Sequence, residues 1–238
     1  MRAEYEFKTT NQGQLQTGDL SCIVEFLKNG GLCVLPSDSS YILTGAPTVQ
    51  GITKDIDTLL LRSGIPMSLT FSSLEQADDL LGLSFRAKLF INRLTPGPLT
   101  FIVEPNNKDM RSSSIIDQIS PDGTIGVRLT ESPVETQLVA SIGYPLPTTP
   151  IRRVDGSEVG TAAESFSIIS ARVPNLPNQR KLAIIDGVVP NLGDLSTVVK
   201  ESSHDGAYRI EILYERTIKY SVINKTALDC GYEKAVIV

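Results

Sequence analysis

The segment Pro36-Ser37-Asp38-Ser39-Ser40-Tyr41 places three serine hydroxyls, a carboxylate and a phenol directly after the apolar run Leu32-Cys33-Val34-Leu35. Polar groups at the end of a buried strand are well placed to hold a small charged ligand. The same residues also make Asx and hydroxyl turns, and Tyr41 reads equally as a core ring with a tethered hydroxyl. Arg128, inside the apolar stretch Thr124 to Leu129, offers a planar fork for phosphate or carboxylate; its other reading is an arginine paired with one of the chain's own acids. Ser196-Thr197 and Arg152-Arg153 are further polar pairs, each with a plainer reading as strand residues or a solvated loop. Asp38 and Asp186 are the acids placed to help hold a magnesium ion carried by a nucleotide, without forming a dedicated metal motif. The lone histidine, His204, lies in a turn-like Glu-Ser-Ser-His-Asp-Gly, which gives no support to a Ser-His-Asp or Cys-His site. Cys22, Cys33 and Cys230 lack metal-ligand spacing, so no resident metal is expected and both Cys22 and Cys33 are expected to be buried.

The elements that would position these residues follow from periodicity. Leu20, Ile23, Val24 and Leu27 repeat at helical spacing from an N-capping Thr17 to Gly30-Gly31. The uninterrupted run after it reads as a strand covered on both faces, stopped by Pro36. Helices are predicted from Val49 to Leu60, from a capping box at Ser73-Leu-Glu-Gln76, over Phe85 to Leu94, from Ser132-Pro-Val-Glu135 to about Ile142, and over Ala163 to Val173. Strands are predicted at Met67–Phe71, Leu99–Val103, Thr124–Leu129, Leu182–Gly187, Ser196–Val199 and Tyr208–Leu213. Asn106 to Gly123 reads as loop with a short helix, and Pro145 to Gly160, rich in Pro, Gly and charge, as a loop at the site.

The 238 residues carry a net charge of −5, which gives no general drive toward nucleic acid or anionic membrane and leaves only a locally basic cleft for such a role. No apolar run approaches the roughly 20 residues of a membrane span, and the first residues lack the apolar core of a secretory signal. The expected setting is the cytoplasm.

Four segments together resemble the YrdC/YciO family of threonylcarbamoyl-AMP synthase-like proteins. Gly30 to Leu43 resembles the opening strand and its Pro-Thr-Asp-Thr/Ser-x-Tyr-x-Leu loop, with the Asp-Ser-x-Tyr form closer to the YciO branch. Leu94 to Val103 resembles the Pro-Gly-x-x-Thr segment, Thr124 to Pro133 the Gly-x-Arg-x-Pro segment, and Ile185 to Val199 the Asp-Gly-Gly…Ser-Thr-Val-Val segment. The resemblance, which holds over about Thr17 to Lys200, implies a single α/β YrdC-like domain, taken as residues 1–200, with a twisted mixed sheet flanked by helices and a large concave cleft; residues 201–238 lie outside it and are expected to be a C-terminal extension packed on the same domain. It further implies a nucleotidyltransferase that joins a small amino acid, bicarbonate and ATP with Mg2+ into a carbamoyl-type adenylate, linked to tRNA modification. Ser37, Ser39, Tyr41 and Arg62 would be catalytic; Thr100, Arg128, Thr148, Thr149, Arg152, Ser196 and Thr197 would bind nucleotide and substrate. RNA or a tRNA-modification protein are the implied partners.

The chain departs from the family pattern twice. The family's Lys-x-Arg aligns with Leu60-Leu61-Arg62, so an aliphatic side chain stands where an ammonium would meet phosphate. The family's Ser-Ala-Asn triplet aligns with Pro150-Ile151-Arg152, and proline offers neither hydroxyl nor N–H. Arg152 and Arg153 would return positive charge to that rim. A non-catalytic relative that binds nucleotide, RNA or a partner protein is the second reading these losses leave open.

Overall fold

The computed structural model describes residues 2–62, 67–106, 119, 123–176, 179–204 and 206–238. Among them are eleven strands in one mixed sheet: β1 Tyr5–Lys8, β2 Leu32–Pro36, β3 Tyr41–Gly45, β4 Ser68–Thr70, β5 Leu99–Val103, β6 Ile125–Arg128, β7 Leu146–Pro150, β8 Leu182–Asp186, β9 Thr197–His204, β10 Ala207–Tyr214 and β11 Ala235–Ile237. Their order across the sheet is β1-β8-β2-β3-β7-β4-β6-β5-β9-β10-β11. The helices are α1 Thr17–Lys28, α2 Ile52–Leu59, α3 Leu74–Leu81, α4 Phe85–Leu94, α5 Pro133–Ile142, α6 Ala162–Ser170 and α7 Tyr220–Asp229.

The continuous apolar run of β2 is explained by the two clusters it feeds. Leu32 and Val34 join one core, with Ile52 and Ile56 of α2 and Ile169 of α6. Cys33 and Leu35 point the other way, to Ile23 and Leu27 of α1 and Leu138 of α5. Successive strand residues face opposite sides, so a strand with helices on both faces has no room for polar alternation. β3 repeats the pattern, Tyr41 and Leu43 entering the first cluster and Ile42 the second.

Most predicted elements are present, α4 and β5 at the predicted limits. Three differences have physical causes. Thr17 is the first helical residue of α1 rather than its cap, and Gln16 at the cap makes no side-chain bond. The predicted loop 145–160 contains β7, a central strand. Its prolines obscure it, yet β7 changes partner along its length, pairing Leu146 to Thr148 with β4 and Thr149 and Pro150 with β3, so neither neighbour needs an unbroken row of donors from it. β1, α7 and β11 carry too few alternating or helical apolar positions to be read from the sequence. The predicted short helix within 106–123 falls largely outside the described residues. β9 runs across residue 200, and β10 and β11 continue the same sheet.

Helix α5 is the element that points at the serine loop. Its start is written in the sequence: Ser132 Oγ accepts the Glu135 N–H, and Pro133 occupies the first turn. The same Ser132 hydroxyl donates to the Pro36 carbonyl at 3.1 Å, tying the helix start to the end of β2. Replacing Ser132→Ala is expected to lower stability by about 1–2 kcal/mol, the loss of a cap and of a buried hydrogen bond. Urea denaturation checks this, with a lower midpoint and an unchanged slope as the expected result.

Candidate functional site

Residues 37–40 form the four-residue connection of the β2–β3 hairpin, which Pro36 and Tyr41 close as a pair and the Ser37 N–H bonds to Ser40 O at 2.9 Å. The loop is buried. Its backbone is covered by the segment after β8, through Asn191 N–H to Asp38 O at 2.9 Å and Gly193 N–H to Ser39 O at 3.0 Å. Where the sequence suggests a concave cleft, Ser37, Asp38, Ser39, Ser40, Tyr41, Thr100, Arg128, Thr148 and Thr149 are all buried.

Asp38 takes the central position. Its carboxylate accepts from Arg128 Nη2 at 3.0 and 3.2 Å and from Thr130 Oγ1 at 3.2 Å, and Ser37 Oγ lies 3.1 Å from it. The Arg128 side chain is 6% exposed and that of Asp38 7%. The carboxylate that Arg128 holds in the structure is Asp38, since so buried a guanidinium needs a counter-charge, while its Nε is buried without a hydrogen-bond partner among the described residues. Burial works against its charge, but Asp38 and then Glu135 more than offset this and hold its pKa above the ordinary arginine value. Glycine at 126 is demanded here, since a Cβ would fall 2.9 Å from Ser68 Oγ and 3.0 Å from the Thr100 methyl.

Glu135 carries the network onward, and sequence reasoning missed it. It was legible only as the acid of a helix start. In a capping box that acid would reach back to the Ser132 N–H, but Thr130 Oγ1 takes that N–H at 3.0 Å and leaves the carboxyl group to turn inward. There it meets Ser37 Oγ at very short range through Oε2 and Thr70 Oγ1 at 2.5 Å through Oε1, and Thr70 shares a 2.9 Å hydrogen bond with Thr148 Oγ1. Ser37 has one hydroxyl hydrogen and two carboxyl neighbours. Both contacts are satisfied when Ser37 donates to Asp38 and a protonated Glu135 donates to Ser37. Burial raises the Glu135 carboxyl above its ordinary value, Asp38 adding to the shift while Arg128 and the bonds from Ser37 and Thr70 oppose it.

The structure places the other candidates around this chain of hydroxyls. Arg62 Nη1 donates to Thr149 Oγ1 at 2.8 Å, beside Thr148, with Asp57 3.9 Å from its Nε. Its guanidinium reaches β7 because the chain turns at Leu61, which has a φ of 55°. Tyr41 points away from the hydroxyl chain, its Oη donating to Gly187 O at 2.8 Å and accepting the Gly187 N–H at 3.0 Å, with Asp186 at 3.4 Å. Burial first, then Asp186, push its pKa up to about 12 against the bond to Gly187. Leu60 packs against the apolar core. Thr197 lies apart: its hydroxyl donates to Ile218 O at 2.9 Å and accepts the N–H groups of Arg216 and Ile218, fastening the turn after β10. Ser196 is half-buried just before it, and Arg152 is exposed and paired with Glu158 at 2.9 Å. Cys33 is buried as expected, its thiol pKa pushed up by burial, whereas Cys22 is half-buried on the outer side of α1.

The family is decided by sequence: residues 25–210 match the family model Sua5/YciO/YrdC, described as telomere recombination. The chain belongs to the Sua5/YciO/YrdC family. Curated protein sequences give no match. Solved structures of low identity share the fold of this Sua5/YciO/YrdC chain. P. abyssi Sua5 complexed with L-threonine superposes at a TM-score of 0.76 and 17% identity, over 98% of this chain and 62% of that one. E. coli YciO superposes at 0.69 and 20% identity, over 93% and 100%. Full-length HypF in its phosphate- and nucleotide-bound form superposes at 0.60 and 15%, over 80% and 28%. The chain thus spans about 62% of the Sua5 chain's length. Among the described residues no helix is long and apolar enough to cross a membrane.

The raised Glu135 carboxyl sets a pH dependence whose sign is fixed. A carboxyl raised above its ordinary 4.5 on folding keeps a proton that the unfolded chain has released, so its contribution is full below pH 4.5 and lost as pH rises through the folded value. Glu135→Gln keeps a donor for Ser37 without titrating. The variant is expected to gain stability relative to the unsubstituted protein as pH rises above 4.5, by at most about 1.4 kcal/mol per pH unit. Chemical denaturation across that range checks it; a difference that stays constant with pH would mean that Glu135 is ionised in the fold.

Proposed function

We propose that this chain is a threonylcarbamoyl-AMP synthase-like member of its family that binds a nucleotide and a small amino acid at the β2–β3 loop. The observation that carries the reading is the placement of Arg62 on Thr149, next to the hydroxyl chain Thr148–Thr70–Glu135–Ser37 within the matched segment. The L-threonine complex of P. abyssi Sua5 and the nucleotide-bound HypF support the two ligand classes.

In this reaction the amino acid's nitrogen adds to the bicarbonate carbon, water leaves, and the carbamate oxygen attacks the α-phosphorus of ATP as the bond to pyrophosphate breaks. ATP enters as a substrate with its Mg2+, which supplies charge neutralisation on the phosphates. Ser37, Ser39 and Tyr41 would line the amino-acid end with Thr100 near them; Arg62, Thr148 and Thr149 would face the phosphates, with Arg152 at the rim and Ser196 beyond. Arg128 acts as a positioning residue, fixing the loop through Asp38. Thr197 also acts at a distance, holding the turn that carries Arg216. Burial of the loop would keep water from a carbamate that water destroys. Transfer of the product to tRNA, with RNA or a tRNA-modification protein as partner, completes the proposal.

A specific observation favours a second reading, a non-catalytic nucleotide- or partner-binding relative. Arg128 is paired with Asp38, and Leu60, where the resemblance places the family's lysine, packs against the apolar core. One assay separates the two. The pure protein with ATP, bicarbonate, magnesium and threonine is expected to yield the threonylcarbamoyl adenylate and pyrophosphate by mass spectrometry, and Arg62→Met to lower kcat/KM by about 10²–10³, the scale of one lost transition-state donor. No adenylate with threonine or any other amino acid would remove the synthase reading, and an ATP-induced thermal shift without turnover would select the second.

A further inference from the structure

Glu135 lies on α5 at 1% exposure, and no bond made or broken in carbamate or adenylate formation involves it. Its oxygens face two elements: Oε2 meets Ser37 Oγ in the loop, and Oε1 meets Thr70 Oγ1 on β4 at 2.5 Å. Thr148 on β7 is one step further, 2.9 Å from Thr70. Among the described residues the charged groups facing it are Arg128 on β6 and Asp38 in the loop. Arg128 bonds Asp38, at 3.0 and 3.2 Å, and Thr130 adds a third bond to that acid at 3.2 Å. The two acids therefore differ as proton acceptors. A proton on Asp38 would strand the buried Arg128 charge, whereas a proton on Glu135 removes a charge to which no described guanidinium is bonded. Burial and Asp38 raise the Glu135 carboxyl, in keeping with that difference.

Ser37 stands between the two acids, 3.1 Å from Asp38 and closer still to Glu135. A hydroxyl has one hydrogen and two lone pairs, so it passes a proton by accepting one and giving up its own. With Glu135 ionised, Ser37 donates to Glu135 and its contact with Asp38 holds no hydrogen. When a proton arrives at Ser37 Oγ, the hydrogen already there moves to Glu135 and the new one turns to Asp38. Both contacts are then filled, which favours uptake of the proton. The reaction supplies one. An α-amino group is largely an ammonium at neutral pH, and its nitrogen has no lone pair for the bicarbonate carbon until a proton leaves.

We propose that Glu135 takes up the proton of the amino acid's ammonium group, acting through the Ser37 hydroxyl. The proposal rests on the synthase-like reading, in which Ser37 lines the amino-acid end. An N–H bond of the ammonium breaks and its hydrogen joins Ser37 Oγ, while the Ser37 O–H bond breaks and its hydrogen joins Glu135 Oε2. The electron pair left on nitrogen forms the bond to the bicarbonate carbon, and a second nitrogen-bound proton leaves with the bicarbonate hydroxyl as water. Ammonium, bicarbonate and a carboxylate thus give carbamate, water and a carboxylic acid, with charge conserved. Glu135 touches no substrate; it is a positioning residue that keeps Ser37 ready to accept. Thr70 and Thr148 give the stored proton an exit from Oε1 toward β7 between turnovers.

The test is the pH profile of kcat/KM for adenylate formation by the full chain from ATP, bicarbonate, magnesium and threonine. Glu135→Gln keeps a donor for Ser37 but accepts no proton, and is expected to lower kcat/KM by about 10²-fold near pH 7. The loss is expected to shrink to about tenfold or less as pH rises past the ionisation of the substrate amine, because a free amine needs no acceptor. Glu135→Asp, which retains a carboxylate, is expected to recover part of the rate near pH 7. Should Glu135→Gln fail to fold, Ser37→Ala breaks the same relay and is expected to show the same shrinking loss. A loss of equal size at every pH marks a structural role and overturns the proposal. Adenylate formed at full rate by Glu135→Gln overturns the relay and leaves the synthase reading standing. No adenylate from the unsubstituted protein with any amino acid overturns both.

Discussion

Asp38 and Arg128 meet at 3.0 Å with almost no contact with solvent, and neither charge is tolerable there without the other. Much of the site's geometry follows from this pair. It joins the loop at the end of β2 to the end of β6, two strands that are not neighbours in the sheet. It adds positive and negative charge in equal amounts, so a second ionised acid nearby would be uncompensated. Burial and Asp38 raise the Glu135 carboxyl, which lies against the same Ser37 hydroxyl that Asp38 approaches. From Ser37 the hydroxyls of Thr70 and Thr148 carry the polar line to β7, where Arg62 ends it.

A polar line through an apolar sheet restricts what the site can do. Its hydroxyls and carboxyls are tied to one another, which favours a rigid array over mobile side chains, while Ser40 Oγ and Arg128 Nε are buried without a hydrogen-bond partner among the described residues. Ligand charge must then be met at the edge of the network rather than at its centre. Arg62 stands at that edge.

The sequence made the layers legible because they rest on local patterns. β2, α4, β5 and the start of α5 are written in apolar spacing and in Ser-Pro-x-Glu. β7 was hidden by Pro147 and Pro150, since the sequence does not reveal that a strand changes partners midway. The serine loop and Arg128 were visible as residue types, but their partners were not. Asp38 and Arg128 are 90 positions apart and Ser37 and Glu135 98, separations that leave no trace in periodicity. Glu135 in particular looked complete as a cap acid, and only the capture of the Ser132 N–H by Thr130 frees it for the interior.

A double-mutant cycle on Asp38 and Arg128 tests this account most directly. Unfolding free energies would be measured for Asp38→Ala, Arg128→Met and the double variant under one set of conditions. Each single substitution is predicted to cost about 3–5 kcal/mol, because it strands a buried charge, and the double variant to cost less than their sum by about 2–3 kcal/mol. Losses that add to within about 0.5 kcal/mol would contradict it, showing that the two groups are coupled too weakly to hold the loop.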